Sequence, residues 1–360
     1  MKVYGVSVSY YTGKLEAYLR YKGMTYEMES PFARAAELRP HVGAIQVPLV
    51  HRDDGRWMSD STPIIQQFEL EQPEPTVMPN DPVVRFIALL VEDYADEWLW
   101  RAAMHYRWSY DRDRALLSRI LADETAPHLK VPRFLKLRRI SRRQHTGFVL
   151  KDGVTDATRP HVEAGYLRAL ADMTAMLTER PFLLGETPSI ADFGMIGPML
   201  RHFGQDPTPA EIMRNQGPAV FEWLGRVWNA GANAGTPQFV DEVPDCAASM
   251  LQEIAETHLV QLTHNAQCYA KDQQHFDMTV QGCHYQHLPV SRYRVYCLER
   301  LREEYQALSE ADQRKVQALL PYQSADVIWQ PEPIANSGYD EAREAPFNKA
   351  INVYGDGVPK

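Results

Sequence analysis

Ser9, Tyr10 and Tyr11 place three hydroxyl donors in a row near the start of the chain. Further along, Asp60-Ser61 sets a carboxylate beside another hydroxyl. Ser9 stands where strand composition gives way to helical periodicity. A hydroxyl donor and the positive end of a helix both favour a thiolate over a thiol. The four cysteines are Cys246, Cys268, Cys283 and Cys297. Residues 1–245 therefore contain no cysteine nucleophile, CxxC redox pair or thiolate zinc site. Any sulfur chemistry there must use a sulfur brought by the ligand. Taken alone, Ser9 is as readily a loop or N-cap serine. Asp60-Ser61 is equally a helix cap, whose first N–H groups would also attract a carboxylate.

These residues need elements to hold them. Residues 3–8 have strand composition, with Tyr4, Val6 and Val8 on one face. Residues 12–22 turn helical, and Gly23 is placed as the stop. Residues 25–29 read as a second strand and residues 32–38 as a short helix. Asp53-Asp54-Gly55 is a hairpin turn between residues 47–51 and 56–58. Residues 62–70 form a helix with Pro63 in its first turn. The order β-α-β-α-β-β-α is that of a thioredoxin-like domain over residues 1–71.

Residues 72–82 hold four prolines, which makes them a semi-rigid linker. Beyond it, three stripes recur at helical spacing: Ile87, Val91, Tyr94 and Trp98; Val162, Tyr166, Leu170, Met173 and Leu177; Phe193, Ile196, Leu200 and Phe203. They predict an all-α helical bundle over residues 83–230. Residues 231–360 form a C-terminal extension with one clear helix over 291–308 and an irregular end over the last thirty residues.

Three motifs within this frame resemble the glutathione transferase family. They are Ser9-Tyr10-Tyr11-Thr12-Gly13-Lys14 running to Lys22-Gly23, Gln46-Val47-Pro48, and Asp60-Ser61-Thr62-Pro63-Ile64. Ser189-Ile190-Ala191-Asp192 is similar to the capping box of that family's helical domain. The resemblance spans residues 1 to about 230 and implies both fold and activity. Ser9 would stabilise the thiolate of glutathione, with Tyr10 and Tyr11 as rival donors because they replace the usual Pro-Phe. Pro48 would follow a cis peptide that turns Val47 toward the tripeptide's cysteinyl unit like an added strand, helped by Gln46. Asp60 would face the γ-glutamyl ammonium, and Ser61 would add a donor. The thiolate would attack a small hydrophobic or aromatic electrophile, a detoxification chemistry. The implied assembly is a homodimer.

Other features carry less. Tyr94, Trp98, Trp100, Tyr106, Trp108 and Tyr110 read first as core, with some rings available to line a substrate pocket. Seven bases between Lys130 and Arg143 read as a solvated face or subunit contact, since the chain carries a net charge of −9. No nucleic-acid or membrane partner is expected, and the compartment is expected to be cytoplasmic. His264, Cys268, Cys283, His284 and His287 match no zinc spacing, so no metal is expected. Two other functions stay open. One is a non-catalytic scaffold of the same fold. The other is reduction through a mixed disulfide, which would need the extension to bring a cysteine into the cleft.

Overall fold

The computed structural model describes residues 1–42, 45–126, 130–231, 236–330 and 336–338. The irregular end expected for the last thirty residues falls, apart from 336–338, outside them. The αβ part runs β1 (Lys2–Tyr4), α1 (Tyr10–Tyr21), β2 (Glu27–Glu29), α2 (Ala35–Val42), β3 (Leu49–His51), β4 (Trp57–Ser59) and α3 (Ser61–Glu71). A 3₁₀ turn at Phe32–Arg34 leads into α2. The sheet order is β2-β1-β3-β4, with β1 parallel to β2 and antiparallel to β3.

Local chemistry sets these boundaries. Ser9 caps α1 by accepting the Thr12 N–H at 3.3 Å. At its other end Gly23 adopts φ 65° and the Met24 N–H reaches back to Leu19 O, the left-handed stop that glycine permits. Lys22 donates to Glu69 at 3.0 Å and to the Pro75 carbonyl at 3.0 Å, fastening the proline-rich linker to α1.

The first strand is shorter than its composition suggests. Pairing ends at Tyr4, and Val6 and Val8 lie in the following loop while remaining buried. The shared face expected for Tyr4, Val6 and Val8 is also absent. Tyr4 packs with Leu38, Val42 and Leu49 under α2, whereas Val3, Val6 and Val8 join the main core. Alternation there reflects burial on both sides of the sheet, not ladder pairing.

The helical part comprises α4 (Pro82–Glu97), α5 (Leu99–Ser109), α6 (Asp111–Thr125), α7 (Arg133–Gln144), α8 (Arg159–Leu177), α9 (Ile190–Pro198), α10 (Pro207–Gln216) and α11 (Pro218–Asn229). The three stripes are buried, with Leu200 only partly so. Helices α4 and α9 lie back to back. A Cβ on Gly194 would stand 2.6 Å from the Glu92 Cα, so their backbones meet where only glycine fits. The Ser189 N–H and hydroxyl both donate to Asp192, which also takes the Trp223 indole N–H at 2.9 Å. Helix α7 buries none of its residues, and Phe134 is 68% exposed beside Arg138 and Arg142.

The extension is part of the same hydrophobic core. It adds α12 (Ala248–Glu256), α13 (His258–Tyr269), an antiparallel hairpin β5 (His275–Val280) and β6 (Cys283–Pro289), α14 (Arg292–Gln306), α15 (Glu310–Leu319) and a single turn α16 (Asp326–Trp329). The helix expected over 291–308 is α14, capped by Ser291. The hairpin was not anticipated. Helices α14 and α15 lie against α4.

Candidate active site

Three loops leave the sheet at one end. Tyr4 pairs with Leu49, and Leu49 pairs with Ser59. The chain after Tyr4, the Val47-Pro48 segment before β3 and Asp60 after β4 therefore emerge side by side. The structure thus brings Gln46, Val47 and Pro48 beside Asp60 and Ser61, with Ser9 at the far end of the loop that follows Tyr4. The Val47-Pro48 peptide is cis; Pro48 is buried, and Gln46 and Val47 are half-buried.

The three hydroxyls beside α1 are not equivalent. Tyr10 is buried and donates to the Ala95 carbonyl. Burial and the acids of α4 push its phenol well above the usual range. Tyr11 donates to the Asp96 carbonyl at 3.1 Å. Ser9 is half-buried at the helix N-terminus, and its Oγ accepts from Thr12. Its proton meets no acceptor among the described residues, so it can donate to a ligand.

Buried charge holds this corner in place. Lys14, one turn into α1, is wholly inaccessible. Its Nζ donates to Asp96 at 2.5 Å, to Thr62 Oγ1 at 2.7 Å and to Glu92. One ammonium therefore ties the starts of α1 and α3 to α4. On the other side Arg107 of α5 holds the Val8 carbonyl at 2.7 Å and grips Asp206 with two bonds, at 2.7 and 2.9 Å. That paired geometry fixes the loop that presents Ser9.

An aromatic wall stands beside Ser9. Tyr11 stacks on Trp100 with centroids 5.7 Å apart, and Phe148 meets Trp100 edge-on at 5.7 Å. Tyr10 packs edge-on against Trp100 and His202. Of the six clustered rings, Tyr94, Trp98, Tyr106 and Trp108 are core. Trp100 and Tyr110 are only partly buried.

Asp60 caps α3 from a left-handed backbone with φ 74°. That conformation costs an ordinary residue about 1–3 kcal/mol and is concentrated at functional sites. Ser61 is buried, and its Oγ has no partner among the described residues. Burial pushes the Asp60 carboxyl up to about 6, opposed by a hydrogen bond from Tyr293 and the charge of Lys14. Tyr293 belongs to α14, so the extension itself contributes to the site. Neither Lys14, Arg107 nor Tyr293 was singled out from the sequence. Lys14 could have been, because Tyr10, Lys14 and Tyr18 form one buried stripe at i+4 spacing with a charge in its middle.

One acid nearby holds its proton tightly. Glu97 is pushed up to about 8, chiefly by burial and against the charge of Arg294, while at Asp96 burial acts upward and the Lys14 ammonium it touches acts against it. The folded chain thus keeps a proton on Glu97 that the unfolded chain has released. The stabilisation from Glu97 is complete below about pH 4, its unfolded range, and disappears as pH climbs through 8. His105, His161, His202 and His264 are held low by burial. They act in the opposite sense, but only below about pH 6.5. Between pH 7 and 9 the unfolding free energy should fall by about 1 kcal/mol. Denaturant titrations at those two values measure it, and a flat or rising profile would contradict the buried proton.

The C-terminal histidines and cysteines are occupied elsewhere. His275 stacks on His287 at 3.7 Å, and His264 lies parallel to Phe276. No group of three metal-ligating side chains converges among the described residues. Cys297 is buried in α14, where burial and the neighbouring acids push its thiol well up.

Family models match two stretches: the glutathione S-transferase N-terminal domain over residues 3–76 and the C-terminal domain over residues 156–226. The chain belongs to the glutathione S-transferase family. The extension beyond residue 226 lies outside both matches. Among solved structures, a glutathione S-transferase from Rhodospirillum rubrum is 18% identical, with 63% of this chain and 86% of that one covered and a TM-score of 0.43. A glutathione S-transferase from Methylobacterium radiotolerans, solved with glutathione sulfonate, is 19% identical over 68% and 97%, TM-score 0.41. A β-etherase from Sphingobium is 20% identical over 63% and 93%, TM-score 0.44. No curated protein matches in sequence. Among the described residues, no helix of this transferase-family chain is long and apolar enough to cross a membrane.

Proposed function

We propose that this chain is a glutathione-dependent transferase in which Ser9 activates the thiol. One observation carries the reading. Of the three candidate hydroxyls, only that of Ser9 sits at a helix N-terminus with its proton uncommitted, while Tyr10 and Tyr11 donate to carbonyls of α4. A thiol near 8.5 in water is largely protonated at neutral pH. A hydroxyl donor and the α1 dipole both lower that value. The sulfur loses its proton to solvent and forms a bond to an electrophilic carbon, whose leaving group or π electrons take the displaced pair. Gln46, Val47 and Pro48 would align the cysteinyl unit, and Asp60 and Ser61 the γ-glutamyl end. The Tyr11–Trp100–Phe148 wall suits a hydrophobic or aromatic electrophile. No metal takes part in this scheme. A homodimer is the assembly the family resemblance implies.

Reduction through a mixed disulfide is less well supported. Cys297 does fold back toward α3 and α4, but its thiol is held protonated, and the thiolate is the reactive form. The non-catalytic reading draws support from Tyr293, which already engages Asp60. Titrating glutathione into the protein while following ultraviolet thiolate absorbance separates the two. An apparent thiol pKa at least one unit below that of free glutathione is expected. No binding, or an unshifted pKa, would leave the scaffold reading.

A further inference from the structure

Helix α5 carries a second set of reactive groups on the face turned away from the thiol site. At about 100° per residue, Trp100 and Arg107 share one side of α5, and His105 and Ser109 share the other. The Ser109 hydroxyl and His105 Nδ1 are 2.9 Å apart, and His105 Nε2 lies 2.9 Å from Glu163 Oε1 on α8. The Tyr110 hydroxyl donates to the same Glu163 oxygen at 2.7 Å. A carboxylate accepts, so Nε2 carries the ring proton and the bare Nδ1 accepts from Ser109. His105 is wholly buried, whereas Ser109 is half-buried and the Glu163 side chain is 29% exposed. Burial holds the imidazole below the usual histidine range, so at pH 7 it is neutral and able to take a proton. Helix α6 begins two residues after Ser109, and no side chain caps it. The acids of its first turn are engaged, Asp111 with Arg114 and Asp113 with Thr208.

We infer that Ser109, His105 and Glu163 form a second active site, which hydrolyses small aryl esters without glutathione. A hydroxyl within reach of a base, with that base oriented by a third group, is the arrangement that activates an oxygen nucleophile. Ser109 Oγ bonds to the ester carbonyl carbon as its proton passes to His105 Nδ1. Glu163 then faces an imidazolium and stabilises its charge. The bond to the aryl oxygen breaks, and the phenol leaves with the proton from Nδ1. Water attacks the acyl-serine, one of its protons returns through His105 to Ser109 Oγ, and the carboxylic acid departs. The uncapped, positive end of α6 favours the negative charge that builds on the carbonyl oxygen. The half-buried Tyr110 ring, 5.7 Å from His105 between centroids, suits an aryl group.

Treating the full-length protein, free of glutathione, with a fluorophosphonate probe and with p-nitrophenyl acetate tests this. The probe exchanges its fluoride for a reactive serine oxygen, and peptide mass mapping locates the label. It is expected on Ser109. Ser109→Ala should lower kcat/KM for the ester by about 10²-fold or more, and His105→Gln should slow labelling by as much. Glu163→Gln should lower kcat with KM unchanged, because an amide that donates to Nε2 leaves the ring proton on Nδ1. A wild-type protein without label on Ser109 overturns the inference before any variant is made. So does a Ser109→Ala protein that hydrolyses the ester as fast as wild type. No thiol is present in either assay, so neither result depends on the thiol site.

Discussion

Lys14→Met is expected to destabilise the fold by about 3–5 kcal/mol at pH 8, the usual penalty for stranding a buried charge. Methionine fills nearly the same volume, so packing is largely kept. What is lost is the single cation between Glu92, Asp96 and Thr62. Two buried carboxylates would then face each other with no counter-charge, and one must take up a proton. The penalty should therefore shrink on moving to pH 5.5, where protonation is easier. The triple change Lys14→Met, Glu92→Gln, Asp96→Asn should recover much of the stability, because neutral amides replace stranded charge. Denaturant unfolding of the three proteins at both pH values checks this. A Lys14→Met protein as stable as wild type at pH 8 would show the cluster to be energetically idle.

Ser9→Ala should lower kcat/KM for any accepted electrophile by about 10²–10³, the range for removing one donor from a developing or resident anion. The pKa of bound glutathione should return toward that of the free thiol. Ser9 also caps α1, so a loss of activity could reflect a loosened helix. Glycine separates the two roles, since it costs a cap only a few tenths of a kcal/mol while alanine costs about 0.5–2. If Ser9 acts on sulfur, Ser9→Gly and Ser9→Ala lose activity equally. If it only caps, Ser9→Gly keeps activity. Tyr11→Phe should change kcat/KM by no more than a few fold, because its proton is already given to Asp96 O. A larger loss there would transfer the donor role to the phenol.

Most of the αβ architecture could be read from local signals. Gly23, the Asp53-Asp54-Gly55 turn and the caps at Ser9, Asp60 and Ser189 each act within a few residues, and each marks an element that forms. The positions grouped at the site were legible because short motifs carried them. The length of β1 was not, since burial of Val6 and Val8 leaves the same alternating pattern as strand pairing. The β5–β6 hairpin could have been read: Phe276, Met278 and Val280 alternate inward, and Gln281-Gly282 turns with φ 48° and 77°. The polar groups that brace the site were hidden for a different reason. Lys14 with Glu92, Arg107 with Val8 and Asp60 with Tyr293 join distant segments, and no local periodicity encodes such pairs.

The meeting of Asp60 with Tyr293 also sets an order of events. The chain is made from its N-terminus, and domains tend to fold as they emerge. The αβ part and the helices through α11 that pack on it are complete before α14 leaves the ribosome. At typical synthesis rates that interval lasts ~3–13 s. Throughout it, Asp60 lacks the phenol that later engages it, and the start of α3 stands open. A newborn chain thus meets the cell's thiols with a wider site than the finished protein has. A ligand taken up in that interval would find the extension folding around it.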